Sequence, residues 1–122
     1  MTRWWLAIAG LGGLASVAAG AVAAHLSADP DSAGLLRTGA LYGMVHAVAL
    51  VAVIALAQGR EPRRGPAAVA GWSFACGIVL FSFSLFALAL YPTAWLRWVT
   101  PVGGLAFMVG WASLAILACR RR

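Results

Sequence analysis

Polar residues are rare along this chain and come in bunches, and the apolar runs between the bunches are long. Four runs, residues 4–26, 35–57, 67–90 and 96–118, each approach or exceed the roughly 20 apolar residues that a helix needs to cross a bilayer at about 1.5 Å per residue. The stretches between them, 27–32, 58–66 and 91–94, each contain proline and hold the chain's three carboxylates, Asp29, Asp31 and Glu61. Connections this short make consecutive helices antiparallel neighbours. The pattern therefore predicts an all-α fold, an integral membrane bundle of four transmembrane helices forming a single domain over residues 1–122. Asp31 or Ser32 is the expected N-cap of the second helix, since both side chains can accept from the first backbone N–H groups.

Composition changes the picture in one respect: it names the solvent. Of 122 residues, 63 % are hydrophobic and 10 % charged, less than half of the roughly one quarter charged in a soluble domain. Lipid is the medium that can accept such a surface. The net charge of +6 rests on nine arginines and no lysine, a balance that elsewhere suggests nucleic acid. A nucleic-acid binder, however, gathers its cations on one solvated face, and here they fall between apolar runs. With four crossings, Arg3, Arg60, Arg63, Arg64, Arg120, Arg121 and Arg122 lie on one side, and Arg37 and Arg97 on the other. Seven against two predicts that both termini face the cytoplasm. Trp4, Trp5, Tyr91, Trp95 and Trp98 fall at span ends, where amphipathic rings favour the headgroup level. The first run, with Arg3 before it and Ala21 and Ala23 near its end, has the cast of a signal peptide. It is longer than the usual apolar core of one, and it is read as a retained span.

Small residues recur at three- and four-residue steps: Ala9, Gly13, Ser16, Gly20 and Ala23 in the first run, Ser73 and Gly77 in the third, Gly103, Ala106, Gly110 and Ser113 in the fourth. Within lipid, where apolar surface gains nothing by leaving its solvent, such stripes let helix backbones approach. Gly13, Gly20, Gly77, Gly103 and Gly110 are the candidate packing positions, and a compact bundle with little lumen is expected.

Candidate chemistry lies in the few polar side chains inside the runs. The helix rise places His25 near the outer edge of the hydrocarbon, and Tyr42 and His46 roughly 6 and 12 Å below it, one turn apart on one face. Ser82, Ser84 and Thr100 share the same half of the membrane. An unpaired imidazole in hydrocarbon is costly, so His46 is expected as a neutral ring hydrogen-bonded to Ser82, Ser84 or Tyr42. His25, Tyr42, His46, Ser82, Ser84 and Thr100 form the candidate polar or ligand cluster. In a regular helix Ser82 and Ser84 point to opposite faces, because two residues turn about 200°. The depth difference between the two histidines argues against one haem held by both, and no cysteine or carboxylate supplements either for zinc or copper. Cys76 and Cys119 show neither metal spacing nor a disulfide framework. No carboxylate lies inside a run, and no serine sits in a nucleophile elbow, so no catalytic constellation is evident and no cofactor is expected.

Four segments then resemble a known family. They are Gly20, Ala21, Ala24 and His25; Tyr42, His46 and Ala47; residues 80–85; and Thr100, Pro101, Gly103 and Gly104 with Phe107, Gly110 and Trp111. In that order they are similar to the YgdD/YwdK-like small membrane proteins, the family carrying domain of unknown function 423. The resemblance implies a four-helix protein of the bacterial inner membrane and no established activity, substrate or cofactor. The sequence departs from the family at Phe83, where glycine is usual, at Phe86, where tyrosine is usual, and at Val22 and Ala23, which replace an aromatic–glycine pair. Two functional expectations follow. One is a non-enzymatic accessory subunit or homo-oligomer acting through helix–helix association with another membrane protein or with itself. The other is binding or transport of a lipid headgroup, a quinone or a proton at the outer polar cluster.

Overall fold

The computed structural model describes residues 1–57 and 65–120, with the backbone alone at Arg120. The predicted connection 58–66 falls mostly outside the described residues, as do Arg60, Arg63, Arg64, Arg121 and Arg122. The described elements are α1 (Thr2–His25), α2 (Pro30–Leu56), α3 (Pro66–Gly77), a π-helical turn (Ile78–Ser82), α4 (Phe83–Leu90) and α5 (Leu96–Arg120). α3, the π turn and α4 run on as one span, Pro66–Leu90, so four helical spans are long and apolar enough to cross a membrane. α1 packs chiefly on α2 and α5 chiefly on the third span, while α2 and the third span meet in the middle of the bundle.

α2 begins earlier than the sequence pattern suggests. Its N-cap is Asp29, not Asp31 or Ser32: the Asp29 carboxylate accepts the Ser32 backbone N–H at 2.9 Å. Proline at the first helical position explains the shift, because Pro30 supplies a helical φ and lacks only an N–H that would be unpaired there anyway. Ser32 turns its hydroxyl to the Ala89 carbonyl, 3.3 Å away on α4. At the same end, Arg37 donates to the Ala23 carbonyl at 3.3 Å, satisfying one of the open acceptors at the end of α1.

The buried stripe of α1 is Trp5, Ala9, Gly12, Ser16, Ala19 and Ala23. Its alternating steps of four and three residues make the seam of a left-handed helix pair. This seam corrects two packing positions. Gly12, rather than Gly13, meets the third span, where a Cβ would press on Ile78; a Cβ at Gly13 would touch nothing within 4 Å. At Gly20 a Cβ would come no closer than 3.9 Å to Ala40, an ordinary contact. Trp5 departs from the expected headgroup belt as well. It is fully buried, its ring filling the space left open by Gly71, while Trp4 beside it is 59 % exposed. α3 and α5 interlock in the same manner: Phe107 lies over Gly77 and Phe74 over Gly110. At Gly103 the approach is backbone to backbone, since a Cβ there would stand 2.7 Å from the Leu80 carbonyl carbon and 2.8 Å from the Phe81 Cα.

The third span is not a regular helix. Between Ile78 and Ser82 it widens to a π turn, with the Phe83 N–H reaching the Ile78 carbonyl. The extra residue lies beside Gly103, and the wider turn brings the Leu80–Phe81 backbone against α5. Single π turns of this kind are frequent at functional sites.

Candidate functional site around His46

His46 sits in α2 where that helix faces both the third span and α5, and it is 4 % exposed. Each ring nitrogen has one partner. Nδ1 lies 2.7 Å from the Tyr42 carbonyl one turn earlier, and Nε2 accepts the indole N–H of Trp111 at 3.0 Å. An indole N–H can only donate, so Nε2 carries no proton and the Nδ1–H donates to Tyr42. The ring is the neutral Nδ1–H tautomer. Phe107 stacks on it with centroids 3.5 Å apart and planes within 10°, and Phe74 tilts against it at 5.6 Å. Tyr42 lies nearly parallel to the imidazole at 6.0 Å and contacts Phe81 at 4.9 Å.

Of the three expected partners of His46, Tyr42 is found, through its backbone carbonyl, while the indole of Trp111 stands where the Ser82 or Ser84 hydroxyl was expected. The reason is rotational. Ser82 points to Gly43, three residues before His46 and on the neighbouring strip of α2, where Ser16 of α1 approaches the same glycine. Ser16 and Ser82 are 2 % and 1 % exposed, and neither hydroxyl has a hydrogen-bond partner among the described residues. Ser84 faces α5 instead, pairing with the Thr100 hydroxyl at 2.7 Å and donating to the Phe81 carbonyl at 2.9 Å. His25 is the last residue of α1 and is exposed, away from the others. The six candidate residues thus divide into Tyr42 with His46, Ser84 with Thr100, Ser82 with Ser16, and His25 alone. Among the described residues no three His, Cys, Asp or Glu side chains come together.

Beside His46 the bundle is open. A groove of about 600 Å³ runs between α2 and α5 with Phe81 at its floor, lined by Tyr42, His46, Phe81, Pro101, Gly104, Leu105, Phe107, Met108 and Trp111. Its lining is ring faces and aliphatic carbon, because the polar atoms of His46 and Trp111 are turned to one another.

A family model described as "Protein of unknown function (DUF423)" matches residues 19–104. The chain belongs to this family. Its DUF423 relatives include a UPF0382 membrane protein of Haemophilus influenzae, 40 % identical over 94 % of this chain and 93 % of the relative. UPF0382 inner membrane protein YgdD of Escherichia coli is 34 % identical over 98 % and 92 %, and UPF0382 membrane protein YwdK of Bacillus subtilis is 38 % identical over 69 % and 68 %. No solved structure matches the chain. With four apolar helical spans and relatives named as membrane proteins, this DUF423 chain is a small integral membrane protein that lies in the lipid bilayer. The DUF423 match includes Tyr42, His46, Ser82, Ser84 and Thr100 and ends before Phe107 and Trp111, which complete the His46 site from α5.

Sequence reasoning missed Trp111 as the partner of His46. A signal was present: Trp111 lies well inside its span, out of reach of the headgroup level that accounts for Trp95 and Trp98. An indole at that depth needs an acceptor within the protein. The only histidine placed at mid-depth by the helix rise is His46.

Proposed function

We propose that this protein is a non-enzymatic binding protein of the bacterial inner membrane, which takes an apolar membrane component sideways into the groove between α2 and α5. The observation that carries the reading is the groove itself, about 600 Å³ and walled by Tyr42, His46, Phe107 and Trp111. That volume falls in the range of small-molecule sites, roughly 300–1,000 Å³. His46 supports binding rather than chemistry: both of its nitrogens are engaged, and among the described residues no carboxylate or nucleophile is hydrogen-bonded to it for proton transfer. The arginine asymmetry supports an orientation with both termini in the cytoplasm, which puts the Asp29 end of the bundle at the outer leaflet. The test is photo-crosslinking in native membranes with benzoylphenylalanine in place of Met108, which is 67 % exposed at the groove's rim. A lipid-sized adduct is expected; cross-linking only to another protein's helix would replace this reading.

A second reading has its own observation. Gly10 and Gly13 leave a smooth outward strip on α1, where an added Cβ would meet nothing within 4 Å. Such a strip supports association with another transmembrane helix, as an accessory subunit or as a homo-oligomer. Benzoylphenylalanine in place of Leu14, on the same strip, tests it: a protein adduct supports association, and lipid adducts alone remove it.

A further inference from the structure

We propose that the groove holds one phospholipid, with an acyl chain lying along α5 and the phosphate on Arg97. The proposal rests on the groove's binding role and adds what occupies it. Helical register makes the first argument. At about 100° per residue, Pro101, Gly104, Leu105, Met108 and Trp111 lie within about 80° of the direction of Arg97, and all five line the groove. Arg97 stands one turn beyond Pro101, at the head of that stripe and at the end of the bundle that carries the exposed Trp95 and Trp98. Rings in that position mark the headgroup level.

Length makes the second argument. From Pro101 to Trp111 the stripe rises about 15 Å, half of the roughly 30 Å hydrocarbon thickness and so the depth that one leaflet's acyl chain spans. Charge makes the third. Arg97 is exposed, and among the described residues no carboxylate pairs with it. Asp29 caps α2 and Asp31 lies in its first turn, and Arg37 on this side already serves the Ala23 carbonyl. A guanidinium at the lipid–water boundary matches a phosphate in charge and in its fork of donors. Below it the groove offers an apolar, aromatic wall with no unpaired imidazole or indole nitrogen. A polar ligand would gain little there, while a hydrocarbon chain replaces nothing but other hydrocarbon and is held by its anchored head.

The experiment is native mass spectrometry of the intact protein released from nanodiscs of phosphatidylglycerol. One retained lipid per chain is expected. R97Q should weaken retention about tenfold, as the loss of a charge-assisted bond to phosphate implies, and R97K should restore part of it. M108W, which fills the groove from its exposed rim, should abolish retention while leaving the thermal midpoint near that of the parent. Equal retention in R97Q overturns the proposal. Retention of an isoprenoid or other neutral molecule in place of phospholipid overturns the phospholipid but leaves the groove as a binding site. A groove that retains nothing overturns both.

Discussion

Trp111 donates its indole N–H to Nε2 of His46 at 3.0 Å, joining α5 to α2 across 65 residues of sequence. The bond fixes the protonation of the ring, because the donor cannot also accept and the other nitrogen faces the Tyr42 carbonyl at 2.7 Å. Nitrogen-15 NMR of the protein in bicelles should show a protonated Nδ1 and a bare Nε2 at His46. The opposite tautomer would contradict the arrangement around the groove.

Removing both members of the pair should cost less than the two separate removals added together. W111F leaves Nε2 of a 4 % exposed imidazole without its donor. A buried polar group without its partner is penalised, and hydrogen bonds between membrane helices are worth about 0.6–2 kcal/mol. A loss of that size is expected in reversible unfolding from mixed micelles. H46F combined with W111F should lose less than the sum of the two single changes, because neither leaves an orphan in the other's absence. Strictly additive losses would mean that the two side chains are not coupled.

The Ser84–Thr100 pair offers a smaller test of the same physics. Thr100 is half-buried where α5 meets α4, and its hydroxyl lies 2.7 Å from that of Ser84. T100V keeps the shape and removes the bond. Because Ser84 still has the Phe81 carbonyl at 2.9 Å, the expected loss in the same unfolding measurement is at the low end, about 0.6 kcal/mol. A loss several times larger would show that Ser84 depends on Thr100 alone.

The membrane class, the number of helices and their approximate ends were legible in the sequence because they depend on run length and on charge, both of which are one-dimensional. What escaped depends on rotation about the helix axis. A shift of one residue turns a helix by about 100°, which is the difference between Gly13 facing away and Gly12 meeting Ile78. In a soluble helix the apolar face would have fixed that rotation. Here α1 and α2 are apolar all round, so the small-residue spacing alone could not choose between adjacent stripes. The π turn at Ile78–Ser82 shifts register again partway along the third span. Ser82 and Ser84 were expected on different faces and do meet different neighbours, Gly43 and Thr100. The partner of His46 escapes for another reason: it comes from 65 residues further along the chain, while the Ser82 and Ser84 hydroxyls share the expected depth of the ring.

Gly103 should be far less replaceable than Gly13. A methyl at Gly103 would run into the Leu80 and Phe81 backbone, which cannot swing aside as a flexible side chain can. G103A is expected to destabilise the fold by about 1–3 kcal/mol, the range for overpacking. G13A should leave it within about 0.5 kcal/mol, as for a surface site away from special features. Thermal unfolding followed by intrinsic fluorescence in detergent compares the two directly. Equal effects would mean that α5 does not approach the third span at Gly103.

Asp29 should give the start of α2 a dependence on acid that asparagine lacks. Hydrogen bonding from Ser32, through its hydroxyl and then its backbone N–H at 2.9 Å, holds the Asp29 carboxyl below its ordinary 3.8. The hydroxyl is shared with the Ala89 carbonyl, so the backbone N–H is the steadier of the two. A carboxyl whose pKa is lower in the folded chain stabilises that state fully above the unfolded value. It loses this contribution as pH falls through the folded one. The unfolding midpoint should therefore drop as the medium is acidified below the usual carboxylate range, with an onset near 3.8 and a greater loss below it. D29N keeps an N-cap that accepts from Ser32 but does not titrate, so the acid loss in the parent should exceed that in D29N. The two should run together at neutral pH. If parent and D29N fall in parallel on acidification, the Asp29 carboxylate does not carry the cap.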